Sequence, residues 1–291
     1  NGPLVLPVPY VNVVNGGAHA NNNIDIQEFM IVPSGMSSFS QAMQCASEIF
    51  HQLIDHYGRL GVSTAVGDES GLALPLRSSE EALEGLIHVI ESTGYSLGSD
   101  VTLALDVAAS ELYHDGLYQF EGKSYDTNAW IDRLAGWIEG YPIVSVEDPM
   151  ADGDYRGWQQ FTEIFKGQIQ TVGDDVFVTH HERLSQGIRD GVGSAILIKP
   201  NQVGTLTETM MAIGVAQSNQ YGVMVSHRSG DTGDTLIADL AVAVGAGQIK
   251  TGSMSRGERT EKYNRLLWIE SEIDQPCYAG KQYAKQGKHV S

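Results

Sequence analysis

The chain has 291 residues, 42% of them hydrophobic, which suits one large α/β domain or two smaller ones. Its formal net charge of -18 at pH 7 argues against nucleic acid or an anionic membrane as the main partner. No apolar stretch approaches the roughly 18 residues of a membrane span, and no signal-peptide pattern opens the sequence. Cys45 and Cys277 are too few for a disulfide framework, so we expect a protein of the reducing cytoplasm.

Strand-like apolar runs alternate with segments of helical period, which predicts a largely parallel sheet wrapped by helices. The first two runs, within residues 10–33, lie close enough in sequence to form a hairpin. Helices are predicted at residues 37–60, 79–91, 127–140, 157–165, 181–190, 205–219, 234–244 and 258–273. We predict one domain over residues 1–275 with an irregular ββαα start, followed by a poorly ordered tail over residues 276–291.

Six apolar runs end on charged or catalytic-type residues, which are Asp106, Glu147, Asp174, Lys199, His227 and Lys250. Successive residues of this series are 23 to 41 positions apart. That spacing is close to the roughly 30 residues per unit expected when eight strand–helix units share about 250 residues. The pattern predicts a TIM-type (β/α)8 barrel, in which the carboxyl ends of the strands meet at one mouth. These side chains would therefore share a site.

The three acids come from consecutive parallel strands, so their carboxylates can meet at one point. Oxygen ligands suit a hard divalent cation such as Mg²⁺, and we favour a metal site at Asp106, Glu147 and Asp174. The alternative is that each acid caps the following helix or forms a salt bridge.

The two lysines of the series, Lys199 and Lys250, would be half-buried and would need a charge partner. A nearby cation lowers the pKa of a lysine, and a neutral lysine can remove a proton from carbon. Salt bridges to the three acids are the simpler alternative.

Two acids outside the regular series, Glu28 and Glu69, could form a pair that shares protons unequally and supplies a general acid. The glycines of "GDESG" indicate a tight loop that presents Glu69. His19 lies on the Gly-rich segment "NGGAHA", which is a candidate mobile loop.

Two further motifs carry polar side chains of possible chemical use. Arg228 and Ser229 in "SHRSG" are candidate phosphate donors, although ordinary turn chemistry also uses such residues. His180 and His181 are expected to begin a solvated helix rather than to bind a metal.

The part of the chain from about Pro7 to Glu272 carries eight motifs of high specificity. They are "VNGGAHANNNIDIQEFM", "VGDESG", "LDVAASE", "SVEDP", "VGDD", "ILIKPNQVGTLTET", "SHRSGDTGDT" and "GQIKTGSMSR". Together they closely resemble the barrel domain of the enolases (phosphopyruvate hydratases). The segment "NNNIDIQEFM" resembles bacterial rather than eukaryotic members.

The resemblance implies Mg²⁺-dependent dehydration of 2-phosphoglycerate to phosphoenolpyruvate, with two Mg²⁺ ions in the complete enzyme. It implies that Asp106, Glu147 and Asp174 hold the first Mg²⁺, that Lys199 removes the C2 proton and that Lys250 holds the substrate carboxylate. Glu69, helped by Glu28, would protonate the departing C3 hydroxyl, and Gln27 would lie near this leaving group. Arg228 and Ser229 would hold the phosphate, His227 would lie beside the phosphate end, and His19 would close over the phosphate.

The sequence departs from the family pattern in two places. Family members usually have "GDEGG" where this chain has "GDESG", so that Ser70 replaces a glycine. The family also carries an N-terminal capping domain, whose lid loop supplies a serine to the second Mg²⁺. This sequence starts near the first barrel strand, so we expect the capping domain to be absent from this chain.

The resemblance further implies a homodimer or larger homo-oligomer in the cytoplasm, with cell-surface display or secretion as an alternative.

Two other functions stay open on the sequence. One is a related dehydratase or racemase that acts on an acid sugar and shares the three metal-binding acids. The other is a non-catalytic barrel fragment that serves as a scaffold or binding surface.

Overall fold

The structure is a computed structural model that describes residues 4–280 of the chain. Its strands, in chain order, are β1 (Val5–Leu6), β2 (Val8–Asn15), β3 (Glu28–Val32), β4 (Thr102–Asp106), β5 (Tyr113–His114), β6 (Leu117–Phe120), β7 (Lys123–Tyr125), β8 (Ile143–Glu147), β9 (Gln170–Gly173), β10 (Ala195–Ile198), β11 (Gly222–Ser226), β12 (Gly247–Lys250) and β13 (Cys277–Tyr278). Its α-helices are α1 (Phe39–Arg59), α2 (Ser79–Ser92), α3 (Thr127–Gly140), α4 (Tyr155–Ile164), α5 (His181–Asp190), α6 (Pro200–Val203), α7 (Leu206–Ser218), α8 (Leu236–Ala243) and α9 (Gly257–Glu272).

Eight of these strands close into a barrel in the order β10-β11-β12-β2-β3-β4-β8-β9. All neighbouring strands are parallel except β3, which runs antiparallel to both β2 and β4. Both α1 and α2 follow β3 before the regular alternation begins at β4. The prediction of a TIM-type barrel with an irregular ββαα start is therefore confirmed.

Alternate residues of each barrel strand face opposite sides of the sheet. In β10, Ala195 and Leu197 belong to a small apolar cluster, whereas Ile196 and Ile198 belong to the main core. The small cluster collects residues from β2, β3, β4, β9, β10 and β11, so it fills the inside of the barrel. The main core includes the buried faces of the surrounding helices.

A reciprocal pair of amides crosses the barrel near the amino ends of its strands. Gln170 Nε2 donates to Gln248 Oε1 at 2.8 Å, and Gln248 Nε2 donates to Gln170 Oε1 at 2.9 Å. Each amide thus satisfies the other, which offsets most of the free-energy cost of burying the Gln248 side chain. A Cβ at Gly222 would come within 2.6 Å of Gln170 Oε1, so a glycine there leaves room for the pair.

The eight helices predicted from the sequence all begin and end within two residues of the observed bounds. The amphipathic spacing of apolar residues was sufficient to locate these helices, because each long helix buries one face. The antiparallel sheet of β5, β6 and β7 was not predicted; its strands have only two to four residues each. No helix among the described residues combines the length and apolarity needed to cross a bilayer.

The prediction of a poorly ordered tail is wrong for residues 277–280. Cys277 and Tyr278 form β13, which pairs in parallel with β1, and Ala279 is fully buried. Tyr278 Oη also donates to the carbonyl of Pro33 at 3.0 Å. These contacts join distant parts of the chain, which a local pattern does not reveal. The rest of the predicted tail, residues 281–291, lies outside the described residues.

The loop of "GDESG" contains a residue in a strained conformation. Ser70 has a φ of 72°, in the left-handed region that favours glycine, and its buried Oγ has no hydrogen-bond partner among the described residues. At the next position, a Cβ on Gly71 would lie 2.7 Å from Asn12 Oδ1 and 2.8 Å from Asn15 Oδ1. The departure from the family pattern therefore falls on a position whose backbone suits glycine.

We expect Ser70→Gly to raise the free energy of unfolding by about 1 kcal/mol, because it removes the left-handed strain of a residue with a Cβ. For a chain of this size, that gain corresponds to an increase in Tm of about 2–4 °C. Thermal unfolding followed by circular dichroism measures the shift.

Ser218→Gly is the matched control, since Ser218 lies at the exposed end of α7. Glycine is a poorer helix former than serine, so this change should lower stability by roughly 0.5 kcal/mol. A Ser70→Gly protein no more stable than the unchanged chain would contradict the strain at position 70.

Candidate active site at the barrel mouth

The carboxyl ends of the barrel strands carry the charged residues of the predicted series. Asp106 and Glu147 end β4 and β8 and are direct register partners. Glu28, at the start of the antiparallel strand β3, is the register partner of Asp106 on its other side. Asp174 directly follows β9, and Lys250 ends β12. The barrel therefore brings residues that are far apart in the sequence to one mouth.

The Lys250 ammonium is the centre of the largest ion cluster at this mouth. Its Nζ lies 2.8 Å from Asp106 Oδ2, 2.8 Å from Glu147 Oε2 and 3.2 Å from Glu28 Oε1. The residue is only 2% exposed. Burial disfavours its charge, but Asp106, Glu147 and Glu28 outweigh that effect and raise the pKa of Lys250 well above its ordinary value. Lys250 is therefore a fixed positive charge.

Lys199 contacts the third predicted metal ligand. Its Nζ donates to Asp174 Oδ2 at 2.5 Å, and Gln202 Nε2 donates to Asp174 Oδ1 at 3.0 Å. Burial opposes the charge, but Asp174 and Glu147 raise the pKa of Lys199 to about 12. The expectation of a lowered lysine pKa is therefore wrong for this structure, because carboxylates outweigh the neighbouring cation Lys250.

The predicted metal-binding acids contact ammonium groups here. Two other groups among the described residues bring three potential ligand atoms within 4.8 Å of one another: His19, Glu28 and Glu69, and separately Asp148, Asp174 and Asp175. The set of Asp106, Glu147 and Asp174 is not one of these groups. Asp106 and Glu147 nevertheless already share one positive charge, that of Lys250. Carboxylate oxygens directed at a common cation fit a hard ion such as Mg²⁺.

Mutual repulsion and burial shift the pKa values of several of these acids. Burial and the charge of Asp106 raise the pKa of Glu147 well above its ordinary value. Burial also disfavours the charge of Asp106, but Lys250 outweighs it and lowers that pKa. The pKa of Asp148 is raised well above its usual range by burial and by Asp174. The mouth therefore holds more carboxyl groups than its lysines neutralise.

A second cluster joins Glu28, Glu69, His19 and His227. His227 Nε2 lies 3.1 Å from Glu69 Oε2, and His19 Nδ1 lies 3.7 Å from Glu28 Oε1. Burial and the charge of Glu69 raise the pKa of Glu28 well above its ordinary value. Burial acts on Glu69 in the same direction, but His227 outweighs it and lowers the pKa of Glu69. The pair thus has the divergent pKa values of a proton-sharing carboxyl dyad.

The loop that carries His19 packs closely on its surroundings. A Cβ at Gly16 would lie 2.4 Å from the Ile26 carbonyl oxygen, so only glycine fits there without movement. The His19 carbonyl accepts from the Asp68 backbone N–H at 3.0 Å, which ties this loop to "GDESG". Gln27 lies beside the ion cluster, where its Nε2 donates to Asp106 Oδ2 at 3.3 Å.

Arg228 lies at the exposed side of the mouth, after β11. Its Nη1 donates to Asn201 Oδ1 at 3.0 Å, and its backbone N–H donates to Asp231 Oδ2 at 3.1 Å. A cavity of about 260 Å³ opens beside it, with Lys262 also in its lining. Ser229 follows Arg228 and is exposed. The structure therefore places both candidate phosphate donors at the edge of the mouth.

Three residues of this region were missed by the sequence analysis. Gln202 binds Asp174 from the segment that follows Lys199, and no pattern singles it out. Asp148 accepts the backbone N–H groups of Asp174 and Asp175 at 2.8 and 2.9 Å. The second acid of "SVEDP" was visible in the sequence but had no predicted role. Arg259 lies on α9, where its sequence position resembles that of any surface arginine.

The expectation that His180 and His181 begin a helix is confirmed. His181 begins α5, and His180 is its N-cap, with Nδ1 accepting the Glu182 backbone N–H at 3.3 Å.

Residues 3–287 match the family described as enolase, C-terminal TIM barrel domain. The match spans nearly the whole chain and agrees with the closed eight-stranded barrel. The chain therefore belongs to the enolase C-terminal TIM barrel domain family.

Proposed function

We propose that this protein catalyses the Mg²⁺-dependent dehydration of 2-phosphoglycerate to phosphoenolpyruvate. One observation carries the proposal: Lys199 and Glu28 belong to opposite sides of the barrel. Lys199 follows β10, and β3 stands four strands away in either direction around the ring of eight. A base and an acid that face each other across one mouth suit an elimination that removes a proton and a hydroxyl from adjacent carbons.

In the proposed reaction, the neutral Lys199 amine takes the proton from C2, next to the substrate carboxylate. Lys250 is positively charged and buried, so it suits the carboxylate whose negative charge increases during this step. It lies at the centre of the mouth, in contact with Asp106 and Glu147.

Asp106, Glu147 and Asp174 would hold Mg²⁺. Bound Mg²⁺ would offset the negative charge that develops on the substrate carboxylate. It would also offset the charge of Asp174, the carboxylate that otherwise keeps Lys199 protonated. These residues fit the ion because all three offer oxygen ligands, and two of them already share a cation.

The leaving hydroxyl at C3 would take a proton from the Glu28–Glu69 pair and depart as water. The raised pKa of Glu28 and the lowered pKa of Glu69 favour a proton on Glu28 and an ionised Glu69. The resemblance assigns protonation to Glu69 helped by Glu28, which requires transfer of that proton within the pair. His19 lies within 3.9 Å of both acids and would cover the substrate from its loop.

The phosphate would bind at the edge of the mouth, where Arg228 and Ser229 lie. The chain as a whole carries a charge of -18, so an anionic substrate needs a local concentration of positive charge. Lys199, Lys250 and Arg228 provide it from three neighbouring strand ends.

We expect Lys199→Ala to abolish exchange of the substrate C2 proton with solvent in the full-length protein, because the variant has no base at this position. Proton NMR of 2-phosphoglycerate in deuterated buffer with Mg²⁺ measures the exchange. The control is Lys166→Ala, an exposed lysine that pairs with Glu163 on the surface. Exchange that persists in Lys199→Ala would refute the proposed role.

The proposed metal ligands can be separated from the neighbouring acidic group by mutation. If Asp106, Glu147 and Asp174 hold Mg²⁺, Glu147→Gln should weaken Mg²⁺ binding more than about 10-fold, whereas Asp175→Asn should change it little. Isothermal titration calorimetry of the full-length protein measures both affinities. The opposite result, with loss only in Asp175→Asn, would place the ion at Asp148, Asp174 and Asp175 instead.

A further inference from the structure

The Arg259 guanidinium is fully buried and contacts two loops of the candidate active site. Arg259 lies in the first turn of α9 and is 0% exposed. Its Nη1 lies 2.6 Å from His227 Nδ1 and donates to the Arg228 carbonyl at 2.7 Å. Its Nη2 donates to the carbonyls of Asp68 and Ser229 at 3.1 and 2.6 Å.

This position is unfavourable for a cation. The N-terminus of a helix carries partial positive charge, and a buried charge is costly without a partner of opposite sign. Within residues 4–280, no carboxylate lies within salt-bridge distance of Arg259. A Cβ at Gly252 would lie 2.7 Å from Arg259 Cδ, so the chain leaves space for this side chain. The groups that Arg259 contacts therefore indicate the role of this buried side chain.

The contact with His227 determines where the imidazole carries its proton. A guanidinium can only donate hydrogen bonds, so Nδ1 of His227 must accept. A neutral imidazole whose Nδ1 accepts carries its hydrogen on Nε2. That atom faces Glu69 Oε2 at 3.1 Å, and neither atom has a hydrogen-bond partner among the described residues. The N–H of His227 therefore lies beside Glu69, the member of the carboxyl pair with the lowered pKa, at ion-pair distance but without the geometry of a hydrogen bond.

The carbonyl contacts give Arg259 a second effect. Asp68 immediately precedes Glu69, whereas Arg228 and Ser229 are the candidate phosphate donors. One planar side chain therefore connects the loop of the acid pair with the loop of the phosphate end. Its forked donors reach carbonyls of both loops at once, in a fixed geometry that a single ammonium does not offer.

We propose that Arg259 is a positioning residue that holds His227 in the Nε2–H tautomer facing Glu69 and connects the two loops. The tautomer stands on geometry alone, and only its effect on catalysis rests on the proposed function. Burial lowers the pKa of His227; the charges of Arg259 and Lys250 act in the same direction, and that of Glu69 opposes them. These effects favour the neutral imidazole, which is the form that has two distinct tautomers.

The tautomer can be read directly by NMR of the full-length protein with ¹⁵N-labelled histidine, without substrate and at neutral pH. His227→Gln identifies the signals of His227 by their loss. We expect Nε2 of His227 to have the shift of a protonated nitrogen and Nδ1 that of an unprotonated acceptor. In Arg259→Met, the two shifts should move toward each other as the tautomers mix. Arg265→Met, on the same helix but paired with Asp239 at the surface, should leave them unchanged.

Kinetics test the consequence for the proposed reaction. Arg259→Met should lower kcat/KM for dehydration about 10–100-fold, the usual effect of losing a group that orients a functional side chain. Arg259→Lys, which restores one donor, should recover part of the loss together with part of the Nε2–H signature. An unchanged kcat/KM in Arg259→Met would overturn the positioning role.

A His227 spectrum with a protonated Nδ1 would overturn the tautomer, as would an Arg259→Met spectrum identical to that of the unchanged protein. If Arg259→Met does not fold, the spectrum of the unchanged protein and that of Arg259→Lys still decide the question. If the unchanged protein does not dehydrate 2-phosphoglycerate, the proposed function fails, but the tautomer is still tested by the spectra.

Discussion

The excess of buried carboxyl groups over lysines at the barrel mouth governs the rest of the site. Glu28, Asp106 and Glu147 all contact the single ammonium of Lys250, and each is almost completely buried. One positive charge cannot stabilise three negative charges in such surroundings, so the pKa values diverge: those of Glu28 and Glu147 are raised, and that of Asp106 is lowered. Such a mouth favours the arrival of further positive charge, which is why we assign it a divalent cation and an elimination that builds negative charge.

The barrel makes this arrangement possible because the two ends of its strands carry different kinds of residue. Near the amino ends, Gln170 and Gln248 satisfy each other and need no ion. At the carboxyl ends, eight strand ends converge, so residues from β3 and β10 face each other across the mouth. The antiparallel β3 matters here, since Glu28 enters the ring at its first residue and pairs in register with Asp106. The proposed base on one side and the proposed acid on the other follow from this topology.

Much of this architecture was predictable from the sequence, because it depends on local periodicity. The long helices bury one face each, and the strand ends carry a visible series from Asp106 to Lys250. Contacts between distant segments were not predictable, such as the pairing of Cys277 and Tyr278 with β1. The raised pKa of Lys199 was also missed, because it depends on how close Asp174 comes to its ammonium. The roles of the site residues stay proposals, and Arg259 emerged only from three-dimensional contacts.

We propose that the carboxylates of Asp106, Glu147 and Asp174 share one divalent ion at the mouth of the barrel. Crystals of the full-length protein soaked with Mn²⁺, which prefers the same oxygen ligands as Mg²⁺, would locate that ion by anomalous scattering. We expect an anomalous peak in contact with all three carboxylates, with the Lys250 ammonium displaced from at least one of them. A peak bound only by Asp148, Asp174 and Asp175, or no peak at the mouth at all, would contradict it.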